Sequence, residues 1–596
     1  MAFNTDLAER LETIARLLEL TGANRFRVNA FAKAARVIEK ETRDVSTLDT
    51  DELVAIDGVG KGVAEKVHEL RDTGTVAELD ELIAEIPTGL LDVMEIQGLG
   101  PKTVRQLWKD LGVTSRDDLR RVIDDGSILE LPRMGKKTVD NMTKALEFAS
   151  KSTARLPLGV AWPIAERVKQ HLAGVKGVKR IEAAGSLRRG RDTIGDLDIL
   201  VSADDSEAVR EAFCTMDGVT DVIARGETKC SVRMKVSTDT GRWSIAKDLD
   251  GSTIGVDLRT VPSEVFGAAL MYFTGSKDHN VRLRERAIKM GFTLNEYGLF
   301  EDDGEASPQS RGIDPIASEE ETDVYSKLEL PWIAPELRED AGELELGATP
   351  DLIEVDDIKA ELHAHTTASD GRMELDELVQ RALDRGFHTI TVTDHSRSSV
   401  QANGLTVERL RDQRSRIEEA RERFGTKIAI LCGSEVDIFA DGSLDYDDDV
   451  LAELDVVVAS PHAALTQDGK TGTKRMLKAI EHPLVHVIGH PTGRIVNRRP
   501  GLDLAMDEII AAAKEHNVAL EINSHWMRLD LRDSHVRAAV DAGVKIAIDC
   551  DVHAADDYDN IRFGVMTGRR GGLTAKGCVN TWSKSKLAKW LRSKRR

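Results

Sequence analysis

Cysteine is scarce: there are five in 596 residues (Cys214, Cys230, Cys432, Cys550 and Cys578), and no two stand at metal-ligand spacing. That excludes a disulfide framework or a cysteine-rich zinc module and fits a reduced, cytoplasmic setting. Long hydrophobic runs are also missing. No stretch of about 18 apolar residues occurs, so neither a membrane-spanning helix nor a membrane partner is expected. The charged opening (Asp6, Glu9, Arg10, Glu12) is unlike a secretory signal. Positive charge is in deficit, with a net charge of −21. As a global field this argues against nucleic acid. Local amide clusters, metals and basic patches can override such a field, and carboxylates gathered around metals inflate the acidic count. The one basic patch, Lys584 to Arg596, reads as a solvated helix end more readily than as a phosphate contact.

What is present is a globular composition, 41% apolar and 31% charged, in a chain too long for one hydrophobic core. Leu7, Leu11, Ile14 and Leu18 recur at helical spacing, and short helices punctuated by glycine continue to about residue 150. From about 155 to 300, helices mix with β-branched runs such as Ile199–Val201 and Thr253–Val256. Residues 301–357 are acidic, carry Pro331 and Pro335, and read as a last subdomain followed by a linker. From Ile358 onward apolar strands alternate with helical stretches, the βα signature of a parallel barrel or sheet.

Three early segments share one design: Ile56-Asp-Gly-Val-Gly-Lys61, Ile96-Gln-Gly-Leu-Gly-Pro101 and the degenerate Leu131-Pro-Arg-Met-Gly-Lys136. Glycines (Gly58, Gly60, Gly98, Gly100) let backbone approach a phosphate, and the helix that follows presents free amides. This is a helix–hairpin–helix arrangement, which grips nucleic-acid backbone without reading sequence. One Gly-x-Gly is commonly a plain tight turn; repeated copies point to DNA.

In Gly185-Ser-Leu-Arg-Arg-Gly-Arg-Asp-Thr-Ile-Gly-Asp-Leu-Asp-Ile-Leu200, Asp196 and Asp198 stand two apart in a strand-like run, so both carboxylates share one face. Such a pair can share two divalent ions, which in-line phosphoryl transfer uses to clamp attacking and leaving oxygens. Gly185 and Ser186 supply a turn and donors for a triphosphate beside Gly195, with Arg188 or Arg189 to neutralise charge. Asp257, in Ile254-Gly-Val-Asp-Leu-Arg259, is the expected third carboxylate from a neighbouring strand. An isolated Asp-x-Asp would more often be a solvated strand end; the Gly-Ser turn upstream changes that.

In the last two hundred residues, seven apolar runs each end in metal-competent or acidic residues, from Lys359-Ala-Glu-Leu-His-Ala-His365 to Ile546-Ala-Ile-Asp-Cys-Asp-Val-His553. A (β/α) barrel builds its site at that rim. His363 and His365 face one way and can bind one ion between them, and Asp551 and His553 repeat the device. Mixed imidazole and carboxylate donors suit Zn²⁺, Mn²⁺ or Fe²⁺ better than Mg²⁺. His388, His482, His486, His516 and His535 read as ordinary surface or core histidines; His525 is ambiguous.

These motifs resemble known families. Gly58-Val-Gly-Lys-Gly-Val-Ala-Glu-Lys66 resembles the lyase domain of DNA polymerase beta and its relatives, which implies Lys66 as a Schiff-base lysine. The family's second lysine position holds Gly62 and its tyrosine is Phe31, and a surface lysine on a DNA-binding helix is an equal reading of Lys66. Tyr272-Phe-Thr-Gly-Ser-Lys-Asp-His-Asn280 resembles the family X polymerase loop, in which Tyr272, Phe273 and Gly275 would flank the incoming sugar. Asn280 would then contact the base edge and Arg284 the template, with Lys277 at a position that is acidic in better-known relatives. Tyr272 and Phe273 taken singly also read as a core pair before a turn. The C-terminal pattern resembles the PHP (polymerase and histidinol phosphatase) family. Its nine-ligand site for up to three ions would be His363, His365, Asp370, His395, Glu435, His462, His490, Asp551 and His553.

Together the resemblances imply a bacterial- or archaeal-type family X DNA polymerase with a PHP domain. It would be a multidomain chain with an α-helical helix–hairpin–helix N-terminus, an α+β nucleotidyltransferase core and a distorted (β/α)7 PHP barrel. The expected divisions are a lyase-like domain (1–90), fingers (91–155), palm (156–262), thumb (263–345), linker (346–357), PHP domain (358–580) and basic tail (581–596). The implied activity is gap-filling repair synthesis with a 3′–5′ exonuclease, and abasic-site, deoxyribose-phosphate or 3′-phosphate trimming. Mg or Mn would serve the polymerase site and Mn, Zn or Fe the PHP site. Gapped or nicked DNA and dNTPs would be the partners of a monomer. Two other readings are a barrel enzyme with a DNA-targeting front half and a non-catalytic repair scaffold. The intact carboxylate triplet argues against the first and the complete ligand set against the second.

Overall fold

The computed structural model describes residues 2–594 except 42, 95, 97–98, 133, 137–138, 140–141, 144–154, 237–248, 250, 303 and 305–306. Gly98 and Arg133, which belong to the second and third glycine-turn motifs, lie outside the described residues. The chain divides into two compact units, Met1–Thr153 and Ala154–Arg596.

The first unit is helical. Helix Ala2–Thr21 buries Leu7, Leu11, Ile14 and Leu18, as their spacing predicts. The same core continues through Val67, Leu90, Val104 and Leu119, and Arg16 donates to the Leu91 carbonyl at 3.1 Å. Regions 1–90 and 91–155 therefore share one core. Helices Lys61–Thr73 and Pro101–Leu111 each start directly after a glycine N-cap, Gly60 and Gly100.

The second unit begins with a five-stranded sheet in the order Val178–Ala183, Asp196–Ala203, Thr253–Thr260, Lys229–Lys235, Val219–Arg225. Its central pair is parallel and its other pairs antiparallel. Helices Leu158–Ala173 and Ser206–Cys214 pack Ile164, Val168, Val209 and Phe213 against its apolar residues. Helices Phe266–Thr274, Lys277–Lys289 and Glu321–Lys327 then gather around Ala268, Leu283 and Tyr325.

The C-terminal part is a barrel of seven parallel strands in sequential order, from Ala360–Glu361 to Ile546–Asp549. The strands are buried almost throughout, which is why they read as near-continuous hydrophobic runs. Backbone bonds from His365 N to the Val552 carbonyl (2.8 Å) and from Val552 N to the His363 carbonyl (3.1 Å) join first strand to last and nearly close the ring.

Two expectations need correction. Residues 346–357 are not a free linker: Leu352 is buried with the Tyr325 cluster, Ile353 N bonds the Leu573 carbonyl at 2.9 Å, and Glu354 pairs with Arg569 at 2.5 Å. Nor is the basic tail simply solvated. Helix Lys584–Ser593 buries Leu587, Trp590 and Leu591 against barrel residues such as Val458 and Val487, leaving its lysines outward. Acidic or basic composition hid an apolar stripe in both. Trp526, Leu529, Phe563 and Met566 of the barrel enter the core beneath the five-stranded sheet. A Cβ on Gly159 would lie 2.4 Å from Trp526 Cβ, so the two layers touch at backbone distance.

Buried charge fastens these layers. Glu321 receives Arg338 at 2.6 Å and Arg188 at 2.7 Å, with the Arg338 side chain fully buried. Burial pushes the Glu321 carboxyl up, but Arg338 and Arg188 outweigh it and hold it at about 2. Its stabilising contribution is therefore full above the unfolded carboxylate range and is lost as pH falls toward 2. Glu321→Gln would strand Arg338, and a loss of about 3–5 kcal/mol is expected in urea melts at pH 7. An unchanged midpoint would contradict this role.

Candidate active sites

The parallel register sets Asp198 directly opposite Asp257 and Asp196 opposite Gly255. Because strand side chains alternate, all three aspartates emerge on one face. Asp257 accepts from Ser231 Oγ at 2.6 Å and pairs with Lys229 Nζ at 2.6 Å. Among the described residues Asp198 has no such counter-charge in contact. Burial, then Asp196 and Asp257, push its carboxyl up to about 7, and burial with Asp257 raises Asp196. Crowded acids at the mouth of a sheet, short of positive charge, are the donor set that divalent cations fit.

Gly185 is dictated by the same cluster. Its φ is +61°, and a Cβ there would stand 2.4 Å from Asp198 Oδ2. Ser186 follows in the short turn of helix Gly185–Arg188, and Gly195 is exposed beside Asp196. Arg189, expected beside the nucleotide, spends its guanidinium on Glu339 (2.9 Å) and the Thr274 carbonyl (2.8 Å), while Arg188 serves Glu321. Arg570 of the barrel also binds Glu339 at 3.0 Å. These arginines tie the glycine turn to its neighbours.

Tyr272 and Phe273 are half-buried and edge-to-face at 5.2 Å, with Arg259 4.1 Å over the Phe273 ring. Asn280 Nδ2 donates to the Tyr272 carbonyl at 2.7 Å and the Gly275 carbonyl at 3.3 Å, so it holds the turn. Arg284 is half-exposed and makes no ion pair among the described residues.

In the first unit, a Cβ on Gly60 or Gly100 would meet nothing within 4 Å, so both helix starts are open to a phosphate. Gly58 has a φ of +98°. Lys66 pairs with Glu69 at 3.0 Å and Glu78 at 3.6 Å, so two carboxylates engage its Nζ.

The barrel rim brings its ligand residues into three overlapping groups: His365, Asp370, His395 and His553; His363, His365, Glu435 and Asp551; and His395, Glu435 and His462. His490 joins through Nε2, 2.9 Å from Glu435 Oε1. Buried atoms without hydrogen-bond partners converge there, including His363 Nε2, both His365 nitrogens, His395 Nδ1, Glu435 Oε2 and Asp551 Oδ1. Unpartnered lone pairs at such density are costly unless cations complete them, so the site fits several metal ions. Burial, helped by His553 and His395, pushes His365 down to about 3, leaving a neutral ring with one nitrogen lone pair free to bind a cation. His490 and Asp551 adopt positive φ (27° and 52°), strain that a functional site sustains.

The sequence reading missed the carboxylates and amide behind these ligands. Glu521 accepts from His363 Nδ1 at 2.7 Å, Asp437 from His462 Nδ1 at 2.5 Å, and Asn523 holds Asp551 at 3.0 Å. Asp394 gathers Thr366 (2.8 Å) and Ser369 (2.6 Å) of the loop that carries Asp370. Such partners set ring tautomer and ligand basicity. Their one signal is an acid or amide within an apolar strand. His388, His482, His486, His516 and His535 stand outside the three groups; His525 stacks on Trp526 beside them.

Fold and sites together define a polymerase beta-type nucleotidyltransferase joined to a PHP-type metal centre. The profiles of the DNA polymerase beta palm and thumb match residues 155–259 and 269–339, and that of the PHP domain residues 361–525. A helix-hairpin-helix domain matches 2–76 and a SAM-like helix-hairpin-helix tandem 90–147. The chain is 36% identical to the DNA polymerase/3′-5′ exonuclease PolX of Bacillus subtilis (strain 168), over 98% of this chain and 99% of that one. DNA polymerase lambda of Rattus norvegicus is 27% identical over 56% of each chain. A probable phosphatase of Thermoanaerobacter sp. (strain X514) is 28% identical over 39% of this chain and 94% of its own. The chain belongs to the family X DNA polymerases that carry a PHP domain. No helix among the described residues is long and apolar enough to cross a membrane.

Because the Asp198 carboxyl is raised, the metal-free protein is expected to lose stability as pH rises through about 7. Asp198→Asn removes the repulsion. In chelator at pH 8 its melting temperature should exceed that of the parent by a few degrees, with little difference at pH 4. Equal melting at pH 8 would contradict the charge crowding.

Proposed function

We propose that the chain fills short gaps in DNA at the aspartate face and removes nucleotides from 3′ ends at the barrel rim. The observation that carries this is the presence, in one chain similar end to end to a polymerase/exonuclease, of both an aspartate triplet on parallel strands and a full set of rim ligands. Asp196, Asp198 and Asp257 would hold Mg or Mn, and Asp257 would assist deprotonation of the primer 3′-hydroxyl. Gly185, Ser186 and Gly195 would cradle the triphosphate, with Arg189 adding charge while anchoring the turn. Tyr272, Phe273 and Gly275 would flank the sugar, and Asn280 would reach the base edge through its remaining oxygen. Arg284 would touch the template, and Gly58, Gly60, Gly98 and Gly100 the backbone on either side of the gap.

The nine rim residues, His363, His365, Asp370, His395, Glu435, His462, His490, Asp551 and His553, would hold up to three Mn, Zn or Fe ions. Bound ions there would supply Lewis acidity toward a phosphodiester and a lowered pKa for water. Glu521, Asp437 and Asn523 keep the ligands oriented. The working divisions are those read from the sequence, with 346–357 and 581–596 assigned to the packed body. Lys66 would process a deoxyribose phosphate only after leaving Glu69 and Glu78, and borohydride trapping on abasic DNA tests that step. The enzyme would act as a cytoplasmic monomer.

The decisive comparison uses Asp198→Ala and His365→Ala on a gapped substrate with Mn²⁺. The first should lose synthesis more than about a hundredfold, a barrier increase of about 2.7 kcal/mol, and keep degradation. The second should do the reverse. Normal extension by Asp198→Ala would refute the polymerase assignment.

A further inference from the structure

A cavity of about 470 Å³ lies where a segment next to the aspartate face meets a loop that follows a rim ligand. One wall is Asp192 and Thr193; the other is the loop from Arg494 to Pro500, with Arg532 at its side. Asp192 sits four residues before Asp196, and Arg494 four residues after His490. At about 3.5 Å per residue, neither centre is more than roughly 14 Å along the chain from this cavity.

Its construction is polar and linked to both centres. Arg494 is buried, pairs with Asp192 at 3.1 Å, and donates to the carbonyls of Arg528 (2.9 Å) and Leu529 (2.6 Å). Asn497 Nδ2 donates to the Arg155 carbonyl at 2.5 Å, and Arg155 in turn grips the Thr193 carbonyl at 2.7 Å. The Arg155 guanidinium lies against Gly195, where a Cβ would stand 3.0 Å from it, next to Asp196. On the far side Arg528 reaches to 3.9 Å from Asp551, a rim ligand. Guanidiniums thus stand beside each set of carboxylates and on the cavity wall.

The nearby acids each have a nearer partner, although Asp530 keeps Oδ1 unpartnered. Asp192 is taken by Arg494, Asp530 by Thr492, and Asp533 by Arg570. Arg499 and Arg532 are half-exposed on the cavity and make no ion pair among the described residues. Arg499 gives Nε to the Gly493 carbonyl at 2.8 Å, which fixes its fork without neutralising it. Burial and the neighbouring Arg528 lower the Arg499 pKa, outweighing the opposing pull of Asp530. Planar cations held apart from carboxylates are what phosphate oxygens match.

We propose that this arginine-lined cavity binds the phosphodiester backbone of the DNA strand whose 3′ end passes from the polymerase aspartates to the barrel rim. This rests on the function proposed above, since only one strand visiting both centres needs a track between them. Backbone contacts position a strand and carry no sequence information, which suits transfer of any mispaired end.

The test is the double variant Arg499→Ala/Arg532→Ala in the full chain with Mn²⁺. Gap filling and barrel hydrolysis of bis(p-nitrophenyl) phosphate, a probe too small to need a track, should stay within about twofold of the parent. Removal of a mispaired 3′ end within one binding event, with heparin as trap, should fall at least tenfold. Its log–log salt dependence should become shallower by about 1.4, roughly 0.7 per lost single-strand phosphate contact. Arg499→Lys/Arg532→Lys should recover much of the trapped reaction. Parent-like trapped degradation by the alanine double variant would overturn the inference alone. Loss of bis(p-nitrophenyl) phosphate hydrolysis as well would overturn it by showing that the loop supports the ligands instead. A parent protein that hydrolyses neither probe nor 3′ ends would instead refute the exonuclease reading beneath it.

Discussion

Buried negative charge has to be neutralised, and the second unit does this in two ways. Where the purpose is mechanical, guanidiniums do it. Glu321 lies between Arg338 and Arg188, and Glu339 between Arg189 and Arg570. Where chemistry takes place, the basic side chains nearby neutralise only part of the acid. Asp198 is left beside Asp196 and Asp257, and Glu435 and Asp551 face imidazoles with unpartnered lone pairs. Uncompensated acid is unfavourable for the empty fold and favourable for binding divalent cations. The same side-chain chemistry yields a rivet in one place and a catalytic centre in another, depending on which cation completes it.

The rivets also fix geometry. The turn that starts at Gly185 passes over Asp198, and its next arginines reach Glu321, Thr274 and Glu339. Arg570 extends the Glu339 hub into the barrel, where Asp533 balances it at 2.6 Å. Trp526 and Phe563 add an apolar seam under the sheet. Sheet and barrel are therefore not beads on a string, and the arginine track between them can have a set length and width.

The sequence exposed the chemistry better than the architecture. Period-two spacing was enough to place Asp196 and Asp198 on one face, and ligands recurring after apolar runs were enough to foresee a rim site. What stayed hidden depends on partners distant in the chain. Glu521 and Asp437 look like stray acids until His363 and His462 are seen against them. The segment 346–357 looked like a linker because its four acids and Pro350 break up the apolar residues, such as Leu352, that anchor it. The terminal helix looked solvated because Lys and Arg dominate a stripe of Leu587, Trp590 and Leu591. The anchoring of Arg189 on Glu339, 150 residues away, had no local signal.

Counting ions tests this division of labour most directly. Protein loaded with Mn²⁺, passed through a desalting column and analysed by mass spectrometry of the metal should retain up to three ions per chain, matching the three rim groups. Asp551→Asn should retain at least one fewer, while Asp198→Ala should keep the rim ions. Failure of the parent to retain stoichiometric metal, or loss of the same ions from both variants, would contradict two separately neutralised centres.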